Sequence, residues 1–161
     1  MNWWIKLKRL VRFQYLRIIR LKSSAHSIAV GMGIGVFVGF QPITPFQIIV
    51  AVTLAFFARG NKIAAAIGTV VSNPINLIPF YAMLFFVGNY FLGFEDIMFD
   101  PNNLNLSDLL EKGWHLVLAM MFGGLILGIP AASLSYILTL RAVMAYRRRR
   151  TMRILHKKTR L

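Results

Sequence analysis

The chain alternates apolar segments with short polar joints. Residues 27–40 and 46–58 are almost free of polar groups, and the joint between them reads QPITP at 41–45. Each segment is shorter than the roughly 20 helical residues needed to cross a hydrocarbon core. Because Pro42 and Pro45 cannot donate backbone hydrogen bonds, the joint predicts a break between two short helices.

The turn after the second segment, ARGNK, indicates where the chain returns. Lys and Arg mark the cytoplasmic side of a membrane span, so Arg59 and Lys62 place this turn there. We therefore predict a re-entrant hairpin with QPITP as its tip, at membrane depth. Irregular backbone is tolerated there only when it is buried in protein or faces water. The sequence leaves open a second topology, in which 27–58 is one kinked crossing.

Three further apolar segments follow the hairpin. Residues 63–72 end at the joint SNPIN, and 77–94 are long enough to reach the outside from there. A last helix spans back over 114–138. The joints PITPF at 42–46 and PINLIPF at 74–80 are similar, and paired broken helices in corresponding halves are typical of transporters, so an internal repeat is one hypothesis.

Composition and charge indicate a membrane protein. The residues are 57% hydrophobic and the mean hydropathy is +0.61, which exceeds what a soluble domain of 161 residues usually shows. All acidic residues lie within 95–111, whereas the bases that give a net charge of +14 concentrate in 1–22 and 141–161. The asymmetry predicts cytoplasmic termini and an external acidic loop at 95–111.

These patterns divide the chain into three parts. Residues 1–22 predict a basic amphipathic helix lying at the membrane interface, 23–140 the membrane domain, and 141–161 a basic cytoplasmic tail. At 100° per residue the N-terminal segment gathers its apolar and basic side chains on opposite sides. Both basic ends also suit nucleic acid, but beside so apolar a body we interpret them as binding anionic lipid head groups.

Two glycine-rich faces predict close helix packing. Gly31, Gly35 and Gly39 share one helix face, and Gly124, Gly128 and Ala132 share another. GMGIGVFVG lacks the strand and the acidic residue that a nucleotide loop requires. We expect the two faces to pack on each other or on a second copy. With one or two full crossings per copy, a single chain is small for alternating access, so a homo-oligomer is the expected assembly.

The sequence offers little catalytic chemistry. It contains no cysteine, and no carboxylate lies inside an apolar segment. We find no carboxylate pair, metal-ligand cluster or Ser-His-Asp set, so we expect neither an enzyme nor a cofactor. The helices that begin after Pro45 and Pro74 instead direct free N–H groups into the protein, where they favour anions.

The candidate substrate-binding residues are therefore neutral or cationic. The alternative for each is that it satisfies broken backbone. The candidates are Gln41, Thr44, Gln47, Arg59, Asn61, Lys62, Thr69, Ser72, Asn73 and Asn76.

Three quoted stretches resemble a known family. GVFVGFQPITPFQ, LAFFARGNKIAAAIGT and SNPINLIPFYAMLFFVGNYFLG, in this order, are similar to the bacterial membrane family called domain of unknown function 2062. The resemblance covers most of residues 23–140. It implies a protein of the bacterial inner membrane without an established activity, and the residue patterns themselves predict an all-α, multi-pass protein with short proline-broken helices and full transmembrane helices. Some relatives are joined to glycosyltransferase domains that use lipid-linked sugars, which implies work on a polyprenyl phosphate or a phospholipid.

The leading hypothesis is therefore a small inner-membrane transporter or scramblase of an anionic lipid head group. The chief alternative is a non-transporting membrane subunit that organises a glycosyltransferase or envelope-assembly partner. A third hypothesis is an oligomeric channel.

Overall fold

The computed structural model describes residues 9, 18, 21–72, 77–93 and 106–158, and within these ranges the chain is helical and contains no strand. The helices are α1 (Ala25–Gly39), α2 (Gln47–Phe57), α3 (Lys62–Gly68, continued by a 3-10 turn over Thr69–Val71), α4 (Leu77–Leu92) and α5 (Leu106–Lys158).

Helices α1 and α2 form a hairpin joined by residues 40–46, which we call the tip. The chain that leaves α2 returns to the start of α1, because the Asn61 amide donates to the Ser27 carbonyl at 2.8 Å. The Ser27 hydroxyl in turn donates to the Arg59 carbonyl at 3.0 Å. The predicted hairpin is thus present and the single kinked crossing is wrong. The Thr44–Pro45 peptide in the tip is cis.

Helix α3 runs parallel to α1 and packs on its glycine face. The contacts pair Gly31 with Asn61, Gly35 with Ala65 and Gly39 with Thr69. A Cβ atom at Gly35 would overlap the backbone of α3, so glycine is required for this approach. The expectation that this face meets the glycines of the last helix is wrong, since α3 already occupies it.

Helix α5 runs antiparallel to α1 along the whole bundle. Gly124 and Gly128 lie against Phe40, and a Cβ at Gly33 would lie 3.3 Å from the Ala132 carbonyl. The N-terminal end of α1 is held by Arg147, whose Nη2 donates to the carbonyls of Leu21 at 3.0 Å and Ser23 at 2.5 Å. We call this end of the bundle, with Ser23–Ser27, Arg59–Lys62 and Arg147, the base.

Helix α4 starts beside the tip and leads away from the base. The Phe80 and Phe40 rings lie 5.0 Å apart at the tip, while Gly88 lies farther along, against Ala119 of α5. Helices α3 and α4 therefore run in the same overall direction and share no substantial contact surface. Since α1 and α2 instead form a hairpin, the two proline breaks are not equivalent and the internal repeat is wrong.

The last helix is longer than predicted and continues through the basic tail to Lys158. Judged by length and composition, Gly113–Met152 is the one described helix able to span a membrane. Only 22% of its most apolar window is buried, which a core helix of a soluble protein would exceed. The other apolar helices have 10–17 residues. The sequence predicts more than one full-length transmembrane helix, but the described residues contain a single helix of that length.

The outer surface carries many large apolar side chains. Phe57 is 75% exposed on α2, Ile78 and Phe86 are exposed on α4, and Trp114 is exposed on α5. Of the predicted N-terminal helix, most lies outside the described residues. Arg9 and Ile18 are both helical there: Arg9 is exposed, and Ile18 packs on the core. The position of this helix at a membrane interface stays a prediction.

Candidate functional site

The tip gathers a group of polar side chains from three parts of the chain. The Ser72 hydroxyl, at the end of α3, donates to Gln47 Oε1 at 2.9 Å. The hydroxyls of Thr44 and Tyr81 share a hydrogen bond of 2.5 Å. Together with Gln41 these residues form what we call the tip cluster. It lies where the hairpin ends, α3 stops and α4 begins.

Gln41 is the unusual member of the tip cluster. Its side chain is 5% exposed and lies against Gly124, where a Cβ would come within 3.1 Å of Nε2. Within the described part of the chain, Nε2 is buried and has no hydrogen-bond partner. Leaving such a donor unsatisfied costs about 1–3 kcal/mol, so the fold tolerates a loss of stability at this position.

The first turn of α2 adds further free donors at the tip. Phe46 occupies the N-cap position and provides no side-chain cap. Helices α1 and α3 are capped: Ser24 Oγ accepts from the Ser27 amide at 3.1 Å, and Asn61 Oδ1 accepts from the Ala64 amide at 2.9 Å. Helix N-termini carry partial positive charge, so the tip cluster lies beside an uncapped, electropositive helix end.

The predicted cations lie at the other end of the bundle. The 15 residues of α1 separate the base from the tip by about 22 Å at 1.5 Å per residue. Arg59 is exposed in a left-handed turn with φ of 54°, and Lys62 Nζ lies 4.5 Å from the centre of the Phe56 ring. The structure therefore divides the predicted substrate-binding set into two groups and does not bring it together.

Two predicted candidates have structural partners that account for them. Asn61 caps α3, and its Nδ2 also donates to Ser23 Oγ at 2.7 Å. Thr69 Oγ1 donates back to the Ala66 carbonyl at 2.9 Å. For these residues the backbone-satisfying alternative is the better account. Asn73 and Asn76 lie outside the described residues.

Sequence reasoning missed three polar residues that the fold makes notable. Tyr81 holds Thr44 in the tip cluster. His26 Nδ1 lies 2.9 Å from the Tyr136 hydroxyl at the base. Asn89 Oδ1 is buried on α4 without a described partner. The hydrogen bond or the burial of each side chain arises from packing between distant parts of the chain. A single tyrosine or asparagine in an apolar run does not indicate such packing.

The tip cluster offers hydrogen-bond donors, and none of its members is acidic. No group of three His, Asp or Glu side chains within the described ranges could hold a metal ion. The acidic residues Asp108 and Glu111 belong to the start of α5, at the end opposite the base. The arrangement can therefore bind a hydrogen-bond acceptor or an anion, and it offers no carboxylate base.

Comparison with known proteins agrees with the motifs around the tip. The model of a family described as "Uncharacterized protein conserved in bacteria (DUF2062)" matches residues 8–152. The chain belongs to the DUF2062 family. The family's match thus extends over α1 to α5 and confirms the resemblance seen in the sequence. No curated protein and no solved structure matches this DUF2062 member.

Proposed function

We propose that this DUF2062 protein is inserted in the bacterial inner membrane with its base on the cytoplasmic side. The support is the length of α5, the exposed apolar surface and the position of the bases. In this arrangement α1 and α2 form the re-entrant hairpin, α3 and α4 together make one broken crossing, and α5 crosses back. Both termini are then cytoplasmic.

The position of the tip along α5 indicates how deep the tip lies in the membrane in this arrangement. No Asp, Glu, Lys or Arg occurs between Gly113 and Arg141. Gly124, which contacts Gln41, is about 17 Å along the helix axis from Gly113 and about 26 Å from Arg141 at 1.5 Å per residue. A hydrocarbon core of about 30 Å within this stretch encloses the tip cluster.

In that setting the proposed activity is transport or scrambling of an anionic lipid head group, on a phospholipid or a polyprenyl phosphate. The observation that carries it is the buried Gln41 amide, whose Nε2 has no hydrogen-bond partner among the described residues and which lies at membrane depth in the proposed arrangement. An unpaired donor in an apolar region is costly, and an acceptor-rich phosphate group would satisfy it during passage. The uncapped start of α2 beside it favours the same negative charge.

The cations at the base have a separate role in this proposal. Arg59 and Lys62 are exposed, and all acids of the chain lie within 95–111, in the start of α5 and the segment before it. The base thus attracts the anionic head group electrostatically, and the tip cluster binds it about 22 Å deeper, by the rise of α1.

A flux assay tests the activity. Purified protein is reconstituted into vesicles, and a fluorescent phosphatidylglycerol is followed by its accessibility to a reducing quencher. We expect Gln41→Leu to lower the flux by about tenfold, because one hydrogen bond to a charged group is worth about 1.5–3 kcal/mol. The control is Thr53→Val, on the exposed face of α2, which should leave the flux unchanged. Wild-type flux in Gln41→Leu would remove the tip cluster from the mechanism.

One observation favours the alternative of a membrane subunit that organises a glycosyltransferase or envelope-assembly partner. Helix α5 continues from Arg147 at the base to Lys158, a projection of about 17 Å that carries the exposed Arg148 and Arg149. Such a helix can dock a cytoplasmic partner domain. This alternative predicts no flux from the pure protein and co-purification with one glycosyltransferase, and flux without any partner would contradict it.

A further inference from the structure

One surface of the protomer is apolar, exposed and incompletely hydrogen-bonded. It comprises Thr44, Pro45 and Phe46 of the tip with Ile48 and Ile49 of α2, and we call it the tip surface. Phe46 is 61% exposed and Ile49 is 65% exposed. This surface lies on the outside of the hairpin, whereas Ala51 and Ala55 form the buried face of α2.

The tip surface carries both free donors and free acceptors. Within the described part of the chain, the amides of Ile48 and Ile49 have no backbone acceptor, and the carbonyls of Thr44 and Pro45 have no backbone donor. Polar backbone groups left in this way cost free energy when water is absent. Because these backbone donors and acceptors lie within a few residues of each other, they can hydrogen-bond to a surface that presents the same groups.

Lipid cannot cover this surface at the depth proposed above. Gln41 lies against Gly124 and Thr44 bonds Tyr81, so the tip surface is level with the middle of the uncharged stretch of α5. Lipid-exposed irregular backbone does not occur in the hydrocarbon region. The depth follows from the insertion part of the proposed function and is independent of any transport activity.

We propose that a second copy of this chain covers the tip surface and so completes the tip cluster. The surface holds the complementary donors and acceptors that two identical copies need. It is also uncharged from Phe46 to Phe57, so two chains of net charge +14 can approach there without like-charge repulsion, which the basic base and termini would impose. The glycine faces are already used within the protomer, so they are not available to a second copy.

The cysteine-free sequence allows a direct cross-linking test in native membranes. Phe46→Cys and Ile49→Cys place thiols on the tip surface. Leu134→Cys is the control, because Leu134 is 58% exposed on α5 away from this surface. Each full-length variant, expressed at low level, is treated with molecular iodine, an apolar oxidant that enters the hydrocarbon core and joins two neighbouring thiols as a disulfide, and is then separated by size without reductant. We expect cross-linked dimer at positions 46 and 49 and monomer at 134.

Dimer formation equal at all three positions, or absent at 46 and 49, would overturn the proposal. Two tip positions are used so that loss of folding in one variant leaves the other informative. Native mass spectrometry of the unmodified protein, released gently from membranes, should show more than one copy, and a purely monomeric spectrum would contradict it. Flux without cross-linking would support transport and contradict the second copy at the tip surface. Cross-linking without flux would support the second copy and contradict transport.

Discussion

At the residue scale, the tip cluster separates side chains that stabilise the fold from one that does not. Ser72 and Gln47 satisfy each other, and Thr44 is held by Tyr81. Gln41 is buried, with 5% of its surface exposed, but its Nε2 lacks a partner among the described residues. When replacing a polar side chain with an apolar one should raise the stability of the protein, that side chain is a good candidate for binding, because functional sites often cost stability.

The stability of Gln41→Leu distinguishes the two roles. Replacing an unsatisfied buried amide with an apolar side chain of similar size should raise the free energy of unfolding by about 1–3 kcal/mol. Ser72→Ala should lower it by about 1 kcal/mol, since it leaves Gln47 Oε1 without its donor. Thermal unfolding in detergent measures both, and a lower midpoint for Gln41→Leu would show that its amide is part of the scaffold.

At the element scale, the hairpin is positioned by close backbone contact between α1 and α3. The approach is possible because Gly31, Gly35 and Gly39 present no side chain to α3. Asn61 begins α3 with a side-chain cap and also bonds the Ser27 carbonyl through its amide. The short helix α3 is thereby fixed at both its base and its tip end, which a helix of seven residues would not achieve alone.

A glycine pair tests this packing. Gly35→Ala introduces a Cβ that would overlap the backbone of Ala65 and Gly68, so we expect a loss of about 1–3 kcal/mol. Gly113→Ala is the matched control in a helix, because nothing lies within 4 Å of its added Cβ, and alanine should stabilise that position by up to about 1 kcal/mol. Equal thermal midpoints for the two variants would contradict the α1–α3 contact.

The start of α1 provides a second test, through Arg147. Its guanidinium bonds the carbonyls of Leu21 and Ser23, so Arg147→Ala should destabilise the protein by about 1.5–3 kcal/mol, as for hydrogen bonds to a charged group. Arg149→Ala removes an exposed charge and should change stability by less than about 0.5 kcal/mol. If limited proteolysis cleaves near Ser23 equally slowly in both variants, Arg147 does not hold this segment.

Helix existence and approximate bounds could be predicted from the sequence, because prolines and the ARGNK turn interrupt otherwise uniform apolar runs. The predicted 46–58 and 63–72 correspond to Gln47–Phe57 and to α3 with its 3-10 turn. The partners of each face could not be predicted, since apolar runs without polar stripes do not show which side is buried. For the same reason the sequence places Arg59 and Lys62 in one candidate group with Gln41, although α1 separates them in the structure.

At the scale of the whole molecule, the described helices form two levels. Between the base and the tip, α1 packs on α5, and α2 and α3 pack on α1 and on each other, whereas beyond the tip the described residues contribute only α4 and α5. The tip cluster lies at the boundary between these levels. In the proposed orientation this arrangement places a polar site at mid-depth of the membrane, and the tip surface beside that site is exposed and accessible to a neighbouring copy.

The depth of the tip is the central claim, and the reactivity of a single cysteine measures it most directly. Phe46→Cys is compared with Lys62→Cys, at the exposed start of α3, using a membrane-impermeant maleimide on inside-out vesicles. Because the thiolate is the reactive form and neither charge nor reagent enters the hydrocarbon core, we predict rapid labelling at position 62 and none at position 46 until detergent is added. Labelling of position 46 as fast as position 62 in intact vesicles would place the tip in water and contradict the account.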